Sequence, residues 1–239
     1  MSNRLKISPR PVLLACVAVA AAMLAGCGDT PYLTIIGTAA KGDAVVGGAV
    51  SVSCVRGIGD AVSDGQGGFV VIVTNGEGPC LLKLTPIGGV PMYSFTTGTG
   101  SQVTANITPM TNLLVSYLSN VPGAAAATPE DWFKLPAVQS LLTVPAAVDQ
   151  RVVGDFLPLL KSLTTQGGQT LTLNSADFLR TPFTPGPSVS PTDAALLALR
   201  NANVVTSTGV PTPAAQSALV TGASDDTPVP PTTTGTGGG

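Results

Sequence analysis

Alternation in the stretch Ala49-Val50-Ser51-Val52-Ser53-Cys54 decides how the first half of the chain folds. Val50, Val52 and Cys54 fall on one face and both serines on the other, which is the period of a half-buried β-strand. The stretch Cys80-Leu81-Leu82-Lys83-Leu84-Thr85 largely repeats this pattern, again with a cysteine on the apolar face. The two stretches therefore predict two strands that share one core.

Several further short segments predict strands. Residues 69–74 are apolar on both faces, which is typical of a central strand, and residues 102–107 alternate. Residues 32–38 and 91–95 are weaker candidates. Runs rich in Gly, Asp and Asn separate these segments and predict turns, at residues 57–60, 64–68 and 75–79. About six short strands at this spacing predict a small antiparallel β-sandwich, which we assign to residues 27–107.

From Thr108 onward the pattern becomes helical. A hydroxyl residue directly before a proline is a typical helix start, and we assign helix starts at three such pairs: Thr108-Pro109, Thr128-Pro129 and Ser190-Pro191. An apolar stripe at helical spacing is formed by Val148, Val152, Phe156, Leu160 and Leu163. Pro158 lies inside this stripe and predicts a kink or a restart there. We assign four or five short helices to residues 108–205.

The last part of the chain is poor in residues that could form a core. Residues 221–239 contain five Gly, three Pro and six Thr, which predicts a disordered tail, assigned to residues 206–239. The predicted fold class is thus α+β: a small antiparallel β-sandwich, then short α-helices, then this tail. We expect the sandwich and the helices to form one unit, because residues 102–107 run into Thr108-Pro109 without a linker.

The N-terminus has the features of an export signal. Arg4, Lys6 and Arg10 precede an apolar run of 14 residues at 12–25. As a helix this run would reach about 21 Å, short of the roughly 30 Å core of a bilayer, so it predicts a signal peptide over residues 1–26. The run ends in Leu24-Ala25-Gly26-Cys27, which resembles the lipobox of bacterial lipoproteins. An ordinary signal peptide with a chance cysteine is the alternative.

The lipobox resemblance implies a membrane anchor. In that family the cysteine thiol, here Cys27, receives a diacylglyceryl group, the peptide is cut before it, and the new amine usually receives an acyl chain such as palmitate. Two or more chains hold a protein stably on a membrane. In Gram-negative lipoproteins an Asp directly after the cysteine favours the inner membrane. Here that position is Gly28, and Asp29 comes one residue later, so the resemblance favours the outer membrane of a Gram-negative bacterium.

Two cysteines remain once Cys16 leaves with the signal and Cys27 takes lipid. Cys54 and Cys80 are an even pair in an oxidising compartment, which predicts a disulfide. A free thiol pair or a metal site is the alternative, although two thiols without histidine are a poor set of metal ligands.

Two segments around the first strand suggest a family. Gly47-Gly48-Ala49-Val50-Ser51-Val52 and Ser63-Asp64-Gly65-Gln66-Gly67-Gly68-Phe69 together resemble the carboxypeptidase-regulatory or transthyretin-like sandwich. Gly48 stands where that family usually has Ala. The resemblance implies a β-sandwich in an extracellular or periplasmic setting. It implies no catalysis, because these sandwiches are usually accessory domains, and it transfers no functional residue.

Composition excludes several classes of function. The chain has no histidine, so it has no His-based catalytic triad and no His-ligated zinc site. With 11 basic against 13 acidic residues it lacks the basic surface that nucleic-acid binding requires. We expect no enzyme activity, no cofactor and no nucleic-acid partner.

The remaining candidate sites each have a structural interpretation that we prefer. Asp60 and Asp64 fit a turn better than a Ca²⁺ site, because the alternating acids of an EF-hand are missing. Aromatic pairs that could stack on a sugar are more typical of a core; they are Trp132 with Phe133 and Tyr93 with Phe95. The adjacent acids Glu130 and Asp131 point about 100° apart on a helix, so they do not form a catalytic pair.

The sequence therefore predicts a non-catalytic, lipid-anchored envelope protein that acts as a structural or interaction module. Its partner would be an unknown envelope protein or a glycan. A carbohydrate-binding surface lipoprotein is the alternative, and an exposed aromatic platform would distinguish the two. Aromatic residues make up only 4% of the chain, which favours the first prediction.

Overall fold

The structure, a computed structural model, describes residues 32–186 and 190–230. The predicted signal peptide, Cys27 and the last nine residues lie outside the described residues. The described part contains seven strands: β1 Tyr32–Thr38, β2 Ala49–Arg56, β3 Ile58–Val62, β4 Gly68–Thr74, β5 Glu77–Thr85, β6 Met92–Phe95 and β7 Gln102–Thr104. They are followed by eight α-helices: α1 Pro109–Leu118, α2 Pro129–Lys134, α3 Pro136–Leu142, α4 Pro145–Arg151, α5 Leu157–Gln166, α6 Asp177–Arg180, α7 Pro191–Asn201 and α8 Pro213–Ser224.

The strands form two sheets, and the predicted α+β class is confirmed. One sheet has the order β4-β1-β7 and the other the order β3-β2-β5-β6. All pairs are antiparallel except β1 with β7, which is parallel because the chain changes sheets after β6 and returns alongside β1. The inward faces of the sheets form one apolar core that includes Ile35, Val52, Val71 and Leu82.

The predicted disulfide between Cys54 and Cys80 is confirmed, and the free-thiol and metal alternatives are wrong. The two residues are directly opposite each other on β2 and β5, and their sulfur atoms are bonded. The bond links residues 26 apart in the sequence. A loop of this length corresponds to a stabilisation of about 3–4 kcal/mol in the chain-entropy model.

Several assignments in the sandwich were wrong. Strand β5 begins at Glu77, inside the predicted turn 75–79, and β7 ends at Thr104 although the predicted strand ran to residue 107. Residues 57–60, predicted as a turn, include the start of strand β3. A Cβ at Gly59 would lie 2.7 Å from Val71 Cγ1, so glycine is needed where β3 crosses close to β4. Strand β4, predicted to be central, is an edge strand whose Val70 and Ile72 are 55% and 60% exposed.

The three predicted helix starts are confirmed. The side-chain oxygens of Thr108, Thr128 and Ser190 accept hydrogen bonds from the backbone N–H groups three residues later, at the N-termini of α1, α2 and α7. The predicted interruption near Pro158 also occurs: α4 passes through a π-helical segment, Val152–Phe156, and α5 begins at Leu157. None of the described helices is both long and apolar enough to cross a membrane.

The helices pack against the sheet of β5 and β6 through a second apolar core. This core joins Leu81 and Phe95 from the strands to Met110, Leu114 and other helical residues. Asn106, fully buried between β7 and α1, ties the layers together. Its Oδ1 accepts a hydrogen bond from the backbone N–H of Thr38, while its Nδ2 donates to the carbonyl oxygens of Phe178 and Thr181.

The predicted tail, residues 206–239, is wrong over a large part of its range, because it contains helix α8. Thr212 caps this helix and Pro213 occupies its first turn. Ala215, Leu219 and Ala223 are spaced by four residues and are all buried. A short stripe of small and apolar side chains is therefore enough to dock α8, although the segment is poor in large apolar residues.

A buried ion pair holds the end of α8 in place. Arg151 Nη1 lies 2.8 Å from Asp226 Oδ2, with side-chain exposures of 12% and 3%. The Tyr117 hydroxyl donates a hydrogen bond of 3.1 Å to the same oxygen. Burial of its ring and the Asp226 carboxylate raise the pKa of Tyr117 above its usual range, so it stays protonated as a donor. Residues from α1, α4 and the C-terminal segment thus meet at one carboxylate.

Replacing Asp226 tests this ion pair. Asp226→Ala removes the acceptor shared by Arg151 and Tyr117, but Asp155 still lies close to Arg151, so we expect the free energy of unfolding to fall by about 1–3 kcal/mol. The matched control is Asp225→Ala, since Asp225 is the exposed neighbour at the helix end; its effect should stay within about 0.5 kcal/mol. Chemical denaturation of both variants gives the comparison, and equal effects would show that the pair does not secure α8.

Candidate functional site

A polar cleft lies where strand β6 meets helices α1 and α8. We call it the Tyr93 cleft, after the aromatic residue at its edge; its volume is about 440 Å³. Polar side chains supply much of its wall, from Asn112, Ser116, Ser119, Asn120 and Gln216. The cleft combines a half-buried aromatic ring with amide and hydroxyl groups.

The first turn of α1 fixes Tyr93 through its backbone. The Thr108 side chain accepts from the Thr111 N–H, and Thr111 Oγ1 accepts from the Thr108 N–H, which forms a reciprocal cap. Thr111 Oγ1 lies 3.2 Å from the Tyr93 carbonyl oxygen, and Asn112 Oδ1 accepts from the Tyr93 N–H at 2.9 Å. Both backbone groups of Tyr93 are thus bonded to the helix.

The side chain of Tyr93 belongs to a three-residue cluster with Lys83 and Glu130. Lys83 and Tyr93 are directly opposite each other on β5 and β6. Glu130 Oε1 accepts from Lys83 Nζ at 3.1 Å and from the Tyr93 hydroxyl at 2.8 Å. Lys83 Nζ also lies 5.5 Å from the centre of the Tyr93 ring. The cluster links both strands to the first turn of α2.

Hydrogen bonding sets the charge states in this cluster. Burial acts to raise the pKa of Glu130, but the hydrogen bonds from Tyr93 and Lys83 outweigh it and lower the pKa. The hydrogen bond to Glu130 raises the pKa of Lys83. Burial, followed by the bond to Glu130, raises the pKa of Tyr93. At neutral pH the cluster is an ionised pair with a neutral phenol, and such a carboxylate is a weak proton acceptor.

Hydrogen bonds within the protein also occupy much of the rest of the cleft. The Ser116 hydroxyl and the Gln216 side-chain amide bond to each other across α1 and α8. Asn120 Nδ2 donates to the Ser116 carbonyl oxygen at 2.8 Å. These groups connect the helices, and they present a polar surface that a partner could contact only by adding to existing bonds.

The structure supports the turn interpretation of the two candidate calcium ligands. Asp64 Oδ1 accepts from the backbone N–H groups of Gln66 and Gly68, both at 2.8 Å, so this carboxylate closes the turn before β4. Asp60 is exposed on β3. Residues 32–186 and 190–230 contain no group of three or more Cys, Asp or Glu side chains arranged to hold a metal ion.

The core interpretation of Trp132, Phe133 and Phe95 is confirmed. Trp132 and Phe95 are fully buried, with ring centres 5.8 Å apart, and Phe133 is 4% exposed. They cannot stack on a sugar ring at the surface. Only Tyr93, half-buried at the cleft, keeps part of its ring accessible among these four candidates.

The adjacent acids Glu130 and Asp131 point to different partners, as predicted. Glu130 belongs to the Tyr93 cluster, whereas Asp131 is bonded to the Thr128 cap and to Lys134. Sequence reasoning did not identify Lys83, although its place between the inward Leu82 and Leu84 puts it on the outer face of β5. Its pairing with Tyr93 depends on strand register, which no local pattern indicates.

The Glu130 cluster generates a pH-dependent prediction. Because the folded-state pKa of Glu130 is lowered, the interaction stabilises the protein above the unfolded-state pKa and is lost as the pH falls through the folded-state value. Glu130→Gln should therefore lower the free energy of unfolding at pH 7 by at most about 1 kcal/mol, the range of a solvent-exposed pair. In strongly acidic solution wild type and variant should become equal.

A double-mutant cycle with Lys83→Gln supplies the control. If the stability of Glu130→Gln relative to wild type is the same at acidic and neutral pH, or if the two substitutions are strictly additive at pH 7, Lys83 and Glu130 do not interact in the way described.

Comparisons with known proteins identified no relative of this chain. No family model matches the chain, and neither a curated protein nor a solved structure does.

Proposed function

We propose that this chain is a bacterial envelope lipoprotein, anchored through Cys27, whose folded part acts as a non-catalytic structural or interaction module. The observation that carries the proposal is Leu24-Ala25-Gly26-Cys27 at the end of a short apolar run that follows three basic residues. A leucine three residues before a cysteine, with small residues between, is the pattern that lipoprotein processing requires. The outer membrane of a Gram-negative bacterium is the proposed location.

The disulfide supports export. Bonded cysteines persist in oxidising compartments and are rare in the cytosol. The Cys54–Cys80 bond joins the two inner strands of the four-stranded sheet, and Cys80 is fully buried. The disulfide and the lipobox therefore both indicate that the folded part lies outside the cytosol.

Exposed apolar side chains at one end of the sandwich support an interaction role. Val46, Val62 and Ile87 are 55%, 65% and 84% exposed. They are close together, since Ala49 pairs with Val62 on one side, and a Cβ at Gly47 would lie 3.3 Å from Ile87 Cδ1. We call these three residues the distal patch. Neighbouring exposed apolar side chains are a feature of contact sites for other molecules when they form a contiguous patch.

The carbohydrate-binding alternative now depends on the Tyr93 cleft. Trp132 and Phe133 are buried, which removes one aromatic pair that the alternative needed. The cleft still offers amide and hydroxyl groups beside one ring. Retention of the protein on an envelope polysaccharide, abolished by Tyr93→Ala, would favour this alternative over a protein partner.

Substitution of Cys27 tests the anchor. In cells, Cys27→Ser should leave the chain without lipid, so that it accumulates as uncleaved precursor or as a product without acyl chains. Cys16→Ser is the matched control, because Cys16 lies in the apolar run and leaves with the signal; it should process normally. Membrane fractionation with intact-mass measurement gives both results. A Cys27→Ser chain that matures normally and stays with the membrane would contradict the proposal.

A further inference from the structure

A second set of exposed apolar side chains lies at the end of the sandwich where β1 begins. Tyr32, Val55, Ile58 and Ile72 are 55%, 43%, 76% and 60% exposed. We call these four residues the proximal patch. They come from four strands. Tyr32 and Ile72 lie on the outward face of the β4-β1-β7 sheet and Val55 and Ile58 on the outward face of the other sheet, so their proximity depends on how β3 meets β4 at the edge of the sandwich.

Two glycines show that these strands meet. A Cβ at Gly57 would lie 3.2 Å from the Thr74 carbonyl oxygen, and one at Gly59 would lie 3.2 Å from the Ile72 carbonyl oxygen. Thr74 in turn is paired with Tyr32 across β1 and β4. The turn between β2 and β3, with Val55 and Ile58 on either side of it, therefore lies against the end of β4, and Tyr32 lies on the other side of that strand.

The chain before β1 limits how far this end can be from the proposed anchor. Tyr32 follows Cys27 by five residues. At a maximum of about 3.3–3.6 Å per residue, five residues span no more than about 18 Å. An acylated Cys27 lies at the membrane surface, so Tyr32 can never be farther than this from that surface.

We propose that the proximal patch rests on the lipid bilayer, so that the sandwich stands on the membrane with its distal patch turned away. This inference rests on the proposed function, since it needs the lipid anchor. The apolar face of a helix that lies in the membrane interface enters the bilayer by about 5–10 Å, and we expect a similar depth for these side chains. The short tether favours lipid as the occupant, because it holds the patch at the surface.

The charges at this end are compatible with a lipid surface. Arg56 occupies the tip of the turn, with a side chain 72% exposed, and lies 3.2 Å from the Glu77 carboxylate. The pair is neutral as a whole, and an arginine at this position can also reach lipid phosphates. Asp60 is the nearest acid on β3 and is exposed two residues after Ile58.

The distal patch provides a matched control for the test. Ile87 is 84% exposed, slightly more than Ile58 at 76%. Ile58 pairs with Ser53 and Thr85 pairs with Ala49, so Ile58 and Ile87 are separated by about six residues, roughly 20 Å, along the strand direction. A probe at Ile87 should therefore remain in water when a probe at Ile58 is in lipid.

The experiment uses the full chain, acylated in a bacterial host, purified and reconstituted into phospholipid vesicles. Ile58→Cys and Ile87→Cys each add one free thiol, since Cys54 and Cys80 are bonded to each other and Cys27 carries lipid. Each thiol is labelled with an environment-sensitive fluorophore. The vesicles contain phospholipid with a nitroxide quencher in the headgroup or the upper acyl chain.

We expect the label at Ile58→Cys to shift to the blue and lose emission to the quencher, and the label at Ile87→Cys to do neither. If the protein floats with vesicles but the label at Ile58→Cys is unquenched, the proximal patch does not touch lipid, and the inference is wrong while the anchor stands. A blue shift without quenching would assign the patch to a protein contact and also overturns it. A chain that carries no acyl group and fails to float overturns the anchor, and this inference with it.

Discussion

The side chain of Asn106 joins the two layers of this protein. It is fully buried, and its amide bonds to three backbone groups that belong to different parts of the chain: the Thr38 N–H at the end of β1 and the carbonyl oxygens of Phe178 and Thr181 at α6. The backbone N–H of Asn106 also donates to the Leu179 carbonyl oxygen. Buried backbone groups need hydrogen-bond partners, so removing the Asn106 amide would leave three backbone groups without one.

The hydrogen bonds of Asn106 fix the point at which the chain passes from the sandwich to the helices. Immediately after it, the chain enters the reciprocal cap of Thr108 and Thr111, which starts α1 and attaches it to Tyr93 on β6. Helix α1 then supplies Tyr117 to the carboxylate of Asp226, which holds the end of α8. Helix α1 thus carries polar contacts to the sandwich at its start and to the C-terminal segment at Tyr117, alongside an apolar core that includes residues of both layers.

Local chemistry made much of the fold predictable. Alternation identified β2 and β5, hydroxyl–proline pairs marked the starts of three helices, and an even cysteine pair gave the disulfide. The parts that could not be predicted depend on partners distant in sequence. Asp226 meets Arg151, 75 residues earlier, and Asn106 meets Phe178, 72 residues later. The segment of helix α8 was not predicted to be helical because it is poor in large apolar residues; only three buried positions pack it against the protein.

The candidate sites also divide into those that the local sequence predicted and those that depend on distant residues. The burial of Trp132 and Phe133 followed from their position just after a helix start. The Tyr93 cluster did not, because strand register brings Lys83 opposite Tyr93 and helix packing brings Glu130 to both. The two exposed apolar patches could not be predicted from the sequence either, since each is formed by single residues from several strands and turns.

The central claim is that the sandwich and the helices fold as one unit through Asn106. Differential scanning calorimetry of the mature folded part and of its Asn106→Ala variant tests this most directly. We expect one transition in each protein, with equal calorimetric and van 't Hoff enthalpies, and a loss of about 3 kcal/mol or more in the variant as the whole transition moves to lower temperature. Two separate transitions, of which only one responds to Asn106→Ala, would contradict the claim.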